Sequence, residues 1–146
     1  MDKIKVRIKK LRENAVIPEY KTPGSAACDL VSCEDVLIPA RGRAMVPTGI
    51  SVEADGVAVL LFARSGLAVR HGIALANGVG VVDSDYRGEI VVGLINNTGD
   101  AYRVKAGERV AQMMFVPVVT AEFEEADALS ETERGDGGFG STGKQG

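Results

Sequence analysis

The stretch 43-RAMVPTGISVEADGVAVLLFA-63 decides the fold, because it places two short aliphatic runs on either side of a turn signal. The runs 43–53 and 57–63 are rich in valine, isoleucine and leucine, and Asp55-Gly56 between them is a dipeptide typical of turns. Short runs of this composition, bounded by turn residues, predict β-strands rather than helices.

The same arrangement continues on both sides of this stretch. Near the N-terminus, Ile4, Val6 and Ile8 alternate with basic residues, as in a strand with one solvent-exposed face. Further β-like runs lie at 36–39, 89–96 and 109–118. Only 65–72 is expected to form a short turn of helix. Many short strands with frequent turns predict an all-β sandwich or barrel.

The length and composition of the chain are typical of a single globular domain. The chain has 146 residues and a net charge of -3, which argues against a nucleic-acid partner because phosphate-backbone binding needs an excess of basic residues. It has no apolar run of about 20 residues and no signal peptide, so we expect a cytoplasmic protein without a membrane partner. Cys28 and Cys33 are expected to be reduced and buried, since one histidine cannot complete a zinc site.

The strand pattern stops near residue 120. Residues 121–146 are first acidic and then rich in glycine, with few side chains able to anchor a core. We therefore expect an all-β domain, a sandwich or a barrel, over 1–120 and an arm over 121–146 that stays mobile until something orders it.

Five segments carry polar residues that a plain β-protein would not need. The first, 24–30, contains Asp29, which by itself fits a turn or capping residue better than a metal anchor. The second contains 64-RSG-66, which can offer a guanidinium, a hydroxyl and backbone N–H groups to a polyphosphate. The alternative for this segment is a strand-to-helix turn with Ser65 as the N-cap.

The third segment, 76-ANGVGVVDSDYRGEI-90, is the most informative. A hairpin here would expose backbone donors and acceptors to the edge of a flat base. Asp83 follows two valines, so partial desolvation would make it a candidate general base, and Tyr86 offers an aromatic face. An Asp-Ser-Asp turn without catalytic role is the alternative.

The last two segments lie in the C-terminal third of the chain. Gln112 interrupts an apolar strand and is either on the exposed face or a donor to a phosphate oxygen. The arm sequence 134-RGDGGFGSTG-143 combines glycines, whose N–H groups can wrap phosphate, with Arg134 and Phe139. A disordered tail would explain the glycines but not the aromatic ring.

These five segments, in this order and spacing, resemble the trimeric all-β dUTP pyrophosphatases (dUTPases). The resemblance runs from about Ala15 to Gly143, and its most specific parts are 64-RSGLA-68, 83-DSDYRGEI-90, 108-ERVAQMMF-115 and 134-RGDGGFGSTG-143. It implies a jelly-roll-like distorted β-barrel, a homotrimer whose three chains share each active site, and Mg²⁺-dependent hydrolysis of dUTP to dUMP and pyrophosphate. The resemblance further implies that this reaction would keep uracil out of DNA and supply dUMP for thymidylate synthesis.

The resemblance also implies residue roles. Asp83 would deprotonate the attacking water, and Tyr86 would lie beneath the deoxyribose and exclude a ribose. Asn77 and the hairpin backbone at Gly80 and Val82 would read the uracil edge.

The remaining implied roles concern the triphosphate and its metal. Asp29 would help to hold Mg²⁺ through water, with the ion mainly on the substrate phosphates. Phe139 would stack on uracil as the arm closes. The implied phosphate contacts are Arg64, Ser65, Gly66 and Gln112, and the implied arm contacts are Arg134, Phe139, Gly140 and Ser141.

Two other functions compete with this one. Deaminases of dCTP with the same fold place a catalytic glutamate at the position that aligns with Gly93, where this chain has no carboxylate. A non-catalytic nucleotide sensor that binds proteins through its arm is the second alternative. The first segment and the hairpin also depart from the family pattern, at Ala27-Cys28 and at Gly78, Val79 and Val81.

Overall fold

The computed structural model of the protein describes residues 3–143, and within them it contains eleven strands and one short helix. The strands are β1 (Arg7–Lys10), β2 (Cys28–Val31), β3 (Val36–Ile38), β4 (Arg43–Pro47), β5 (Ile50–Glu53), β6 (Val57–Phe62), β7 (Ile73–Leu75), β8 (Gly80–Val82), β9 (Val91–Asn96), β10 (Tyr102–Val104) and β11 (Arg109–Pro117). The helix is α1 (Ser65–His71). The predicted all-β class is confirmed. No helix in the described part of the chain has the length and apolar character needed to cross a membrane.

The strands form two larger sheets and two strand pairs. One sheet has the order β2-β11-β6-β8 and the other the order β4-β9-β7, while β1 pairs with β5 and β3 with β10. Every pairing is antiparallel. Strand β8 is at the edge of its sheet, so one side of its backbone lacks a neighbouring strand in the described residues.

The core follows the period of two that the sequence predicts. Along β6, Val57, Val59 and Leu61 are buried and alternate with half-buried residues. Cys28 and Cys33 are buried and free, as predicted. Burial raises the pKa of both thiols, which disfavours the reactive thiolate.

Two strand boundaries differ from the prediction. The N-terminal strand begins at Arg7 rather than near Ile4, which is 50% exposed, because β5 offers partners only to residues 7–10. The run 43–53 is two strands, because Gly49 has a φ of 70° and turns the chain between β4 and β5. The Gly49 carbonyl accepts the Leu11 N–H at 2.7 Å, which fixes the N-terminal segment over this turn.

The chain leaves the sheets after β11. Residues 118–143 contain no strand or helix, and nearly all their side chains are exposed. The last three residues of the predicted arm, 144–146, lie outside the described residues.

Candidate active site

A cleft of about 710 Å³ opens at one end of the four-stranded sheet. Strands β2, β6 and β11 meet there, and this geometry brings together residues that are far apart in the sequence. The cleft is lined by Lys21, Ser25, Ala26, Ala27, Asp29, Phe62, Ala63, Gly78, Arg109, Gln112 and Met114. Two of the predicted site residues, Asp29 and Gln112, are therefore on one surface.

Asp29 binds two arginines. Its Oδ1 lies 3.2 Å from Arg64 Nε, and its Oδ2 accepts a hydrogen bond from Arg109 Nη1 at 2.9 Å. The Asp29 side chain is only 15% exposed, so these contacts neutralise a largely desolvated carboxylate. Asp29 lies in strand β2, and the alternative of a turn or capping residue is wrong.

Arg64 lies between β6 and α1, and Ser65 and Gly66 are the first two residues of the helix. Helix α1 begins at Ser65, and its N-cap residue is Arg64, without a side-chain capping hydrogen bond. The strand-to-helix turn is thus present, but Ser65 is not its N-cap. The Ser65 and Gly66 side of the turn is exposed, and the Arg64 guanidinium donates from Nη1 to the Arg109 carbonyl at 2.9 Å.

Gln112 is half-buried and faces the cleft. It lies opposite Asp29 on one neighbouring strand and opposite Phe62 on the other. Its Nε2 donates to the Ala63 carbonyl at 2.8 Å, and this bond fixes the orientation of the amide. Because Nε2 carries two hydrogens, one N–H remains for a ligand in the cleft.

The 76–79 turn does not belong to a simple two-stranded hairpin, contrary to the prediction. Strand β7 before it pairs with β9, whereas β8 after it pairs with β6, so the turn connects the two larger sheets. Asn77 is exposed, and Gly78 adopts a φ of 74° and lines the cleft. Backbone groups of β8 are still exposed, as predicted, at the edge that no strand of the described chain covers.

Gly80 and Val82 are the inward-facing residues of β8. Gly80 lies opposite Leu61, and a Cβ at this position would come within 2.9 Å of the Leu61 Cβ. Val82 is half-buried against the core. These contacts hold the β8 backbone close to β6, and among residues 3–143 no strand pairs with its other edge.

Asp83 begins a tight turn directly after β8. The Tyr86 N–H donates to the Asp83 carbonyl at 3.1 Å, and Tyr86 Oη donates to the Glu89 carbonyl at 2.9 Å. Gly88 lies under the Tyr86 ring, and a Cβ there would come within 2.5 Å of Tyr86 Cζ. Asp83 is exposed in the single chain, so the expected desolvation by its two preceding valines is absent there, because β8 is an edge strand.

The arm residues lie away from the sheets. Arg134 Nε donates to the Gly137 carbonyl at 2.8 Å, and the Gly137 N–H donates back to the Arg134 carbonyl at 3.1 Å. Phe139 is fully exposed and has a φ of 50°, which a side chain other than glycine rarely adopts. Gly140 and Ser141 are exposed beside it.

One chain thus assembles only part of the predicted site. Asp29 and Gln112 line the cleft, and Arg64 contacts Asp29. Within residues 3–143, no hydrogen bond or ion pair joins Asp83 or Phe139 to that group.

The described residues hold no cluster of three or more histidine, cysteine, aspartate or glutamate side chains that could bind a metal by themselves. A cleft with one carboxylate does fit Mg²⁺ that keeps several waters and is held mainly by substrate phosphates. The predicted role of Asp29, contact through water, needs no further protein ligand.

Comparison with known proteins shows which protein family this chain belongs to. The dUTPase family model matches residues 13–143. This chain belongs to the dUTPase family. The predicted family, and with it the prediction that the protein is an enzyme, is confirmed.

Individual dUTPases are similar over nearly the whole chain. The deoxyuridine 5'-triphosphate nucleotidohydrolase of Nautilia profundicola is 51% identical over 142 residues, covering 97% of this chain and 100% of the relative. The enzyme of that name from Desulfitobacterium hafniense is 51% identical over 149 residues, covering 98% and 99%. The structure of the Staphylococcus bacteriophage 80alpha dUTPase with dUpNHpp is 27% identical, with a TM-score of 0.89, covering 96% and 99%.

Sequence reasoning gave no role to Arg109, which lines the cleft. Arg109 lies in 108-ERVAQMMF-115, where its residue type alone predicts no particular role, although it contacts both Asp29 and Arg64. The only signal was a basic residue at the start of a strand, which is common on exposed surfaces.

Proposed function

We propose that the protein hydrolyses dUTP to dUMP and pyrophosphate. The observation that carries this proposal is the cleft lined by Asp29 and Gln112, with Arg64 paired to Asp29, in a chain of the dUTPase family. Phosphoryl transfer needs an aligned nucleophile and neutralised charge more than covalent help from the protein. Guanidinium groups and amide donors at the cleft are the groups that would bind a triphosphate.

The proposed roles divide between charge and proton transfer. Arg64 and Arg134 would counter the phosphate charge, with Ser65, Gly66 and Gln112 as hydrogen-bond donors. Asp83 would accept a proton from the attacking water and hold this water in line. The turn that closes between Asp83 and Tyr86 supports this role, because it fixes the distance between the base and the sugar-binding ring.

Base and sugar would be recognised in front of the β8 edge. Asn77 and the backbone at Gly80 and Val82 would pair with uracil, whose donor–acceptor pattern differs from that of cytosine at position 4. Unpaired polar groups at a buried site can discriminate by about 10⁴-fold or more. Tyr86 would lie beneath the deoxyribose.

Mg²⁺ is the proposed cofactor. When bound, it would neutralise charge on the phosphates as a Lewis acid. Asp29 would hold it through water, because each Asp29 oxygen that an arginine contacts has a second lone pair that can accept from a water in the cleft.

The proposed assembly is a homotrimer with shared active sites. Its support is that, within residues 3–143 of one chain, no hydrogen bond or ion pair joins Asp83 or Phe139 to the group formed by Asp29, Arg64 and Gln112. Residues 121–146 would act as an arm that closes over a neighbouring chain's site, with Phe139 on uracil and with Arg134, Gly140 and Ser141 on the phosphates. The extreme exposure of Phe139 is consistent with a ring that finds its partner elsewhere.

Release of pyrophosphate from dUTP, dCTP, dTTP and UTP with Mg²⁺ tests the proposal. We expect rapid release from dUTP and slow release from the other three. Deoxyuridine products from dCTP would instead indicate a deaminase, which the absence of a carboxylate at Gly93 disfavours. Binding of dUTP without turnover would indicate a sensor.

A Gly88→Ala variant tests the position of Tyr86. Its methyl group would occupy the space of the Tyr86 ring and displace it. We expect the preference for dUTP over UTP, as a ratio of kcat/KM values, to fall by about 10-fold or more, the scale of losing one steric contact. Gly99→Ala is the control, because a Cβ there meets nothing within 4 Å. An unchanged preference in Gly88→Ala would remove Tyr86 from sugar selection.

A further inference from the structure

Strand β11 contains an irregularity beside the cleft. Arg109 lies opposite Val31, but Ala111 lies opposite Leu30 and Gln112 opposite Asp29, so β11 has one more residue than β2 over this stretch. This is a β-bulge, a feature that re-aims side chains and is frequent next to active sites.

The bulge changes the direction of Arg109. In a regular strand, residues three apart point to opposite faces, and Arg109 would point away from Gln112. The extra residue is accommodated by burying both Val110 and Ala111, and it brings Arg109 to the face of Gln112. Both side chains consequently line the cleft.

The backbone at Arg109 is held firmly. Tyr102 Oη donates to Glu108 Oε1, and the Lys105 N–H donates to Glu108 Oε2 at 3.1 Å. Burial, and next the hydrogen bond to Glu108, raise the pKa of Tyr102 to about 12, so this phenol remains a donor at neutral pH. The Glu108 carbonyl also accepts the Ser32 N–H at 2.9 Å.

The charges at the cleft do not cancel. Arg64 and Arg109 share the single carboxylate of Asp29, which leaves one net positive charge in this group. Arg109 gives Asp29 one of its five N–H donors, and its side chain is 45% exposed and lines the cleft. A cation with free donors in fixed geometry is suited to bind phosphate oxygens.

We propose that Arg109 is a phosphate-binding residue of the active site, acting beside Arg64 on the triphosphate of dUTP. This inference rests on the proposed function. Asp29 orients the guanidinium before substrate arrives, and the free N–H donors then contact phosphate oxygens. The affinity lost on removing Arg109 should therefore grow with the phosphate charge of the ligand.

Calorimetric titration with dUpNHpp and with dUMP tests this at fixed ionic strength. Arg109→Gln should weaken dUpNHpp binding by at least about 10-fold, the value of one charge-assisted hydrogen bond, and dUMP binding by less than about 3-fold. Arg109→Lys keeps the positive charge, so its affinity for dUpNHpp should lie between that of Arg109→Gln and that of the unmodified chain. Arg43→Gln, an exposed arginine on β4, is the control. Equal losses for both ligands, or none, would overturn the proposal.

A second comparison separates phosphate binding from the support of Asp29. If Arg109 acted only by holding Asp29, the Asp29→Asn/Arg109→Gln double variant would bind dUpNHpp as Asp29→Asn does. A phosphate-binding Arg109 requires a further loss in the double variant. If the unmodified chain neither bound dUpNHpp nor released pyrophosphate from dUTP, the proposed function itself would fail, which is a distinct outcome.

Discussion

An Asp83→Asn variant should bind dUpNHpp normally but release pyrophosphate from dUTP at least ~10³-fold more slowly than the unmodified chain. The amide has nearly the size and shape of the carboxylate, so the turn from Asp83 to Tyr86 should form unchanged, since its hydrogen bond uses backbone atoms. The amide cannot accept the proton of the attacking water. The loss should therefore appear in kcat and not in binding.

Asp85→Asn is the matched control for this experiment. Asp85 lies two residues further along the same exposed turn, so its substitution removes the same charge from nearly the same place. Asp85→Asn should keep nearly full activity if the carboxylate is needed at position 83 specifically. A general effect of negative charge in the turn would slow both variants. Near-normal turnover in Asp83→Asn would remove Asp83 from the mechanism.

The longer strands could be predicted from the sequence because they carry a period. Along β6 and β9, buried and half-buried residues alternate over six positions, enough to distinguish strand from helix. The strands β7, β8 and β10 have three residues each, too few to display any period. The jelly-roll-like closure of the barrel remains a prediction.

The sequence predicts which residue types form the candidate site, but it does not predict which side chains contact one another there. The grouping of Asp29 with Arg64 and Gln112 was suggested by family resemblance, and the shared strand register explains it physically. The position of Arg109 at the cleft could not be predicted, because a β-bulge depends on the pairing of two strands and has no signature in the sequence of one strand. The exposure of Asp83 could not be predicted either, because it depends on the position of β8 at the edge of its sheet, and the order of strands in a sheet is not evident from the sequence.

A chain ending at Glu133 should fold but lose most of its activity. Residues 134–143 lack contacts that stabilise the sheets, so the melting temperature should change little. Base stacking by Phe139 is worth ~1–3 kcal/mol, and a charge-assisted bond from Arg134 ~1.5–3 kcal/mol. Their combined loss should lower kcat/KM for dUTP by about 10²- to 10⁴-fold.

A chain ending at Gly143 is the control, because it keeps every predicted arm contact and removes only the last three residues. Phe139→Ala and Arg134→Ala should each account for part of the loss. Full activity in the chain ending at Glu133 would contradict a role for the arm in catalysis.

Co-expression of the Asp83→Asn chain with the chain ending at Glu133 tests whether the arm of one subunit acts at the active site of another subunit. The Asp83→Asn chain retains its arm, and the chain ending at Glu133 retains Asp83. If the base and the arm at one site come from different subunits, mixed trimers formed by co-expression contain sites with both groups intact, and activity should recover. If both came from the same chain, every site in the mixture would lack one group. Recovery would thus establish shared active sites, and a mixture as inactive as its components would refute them.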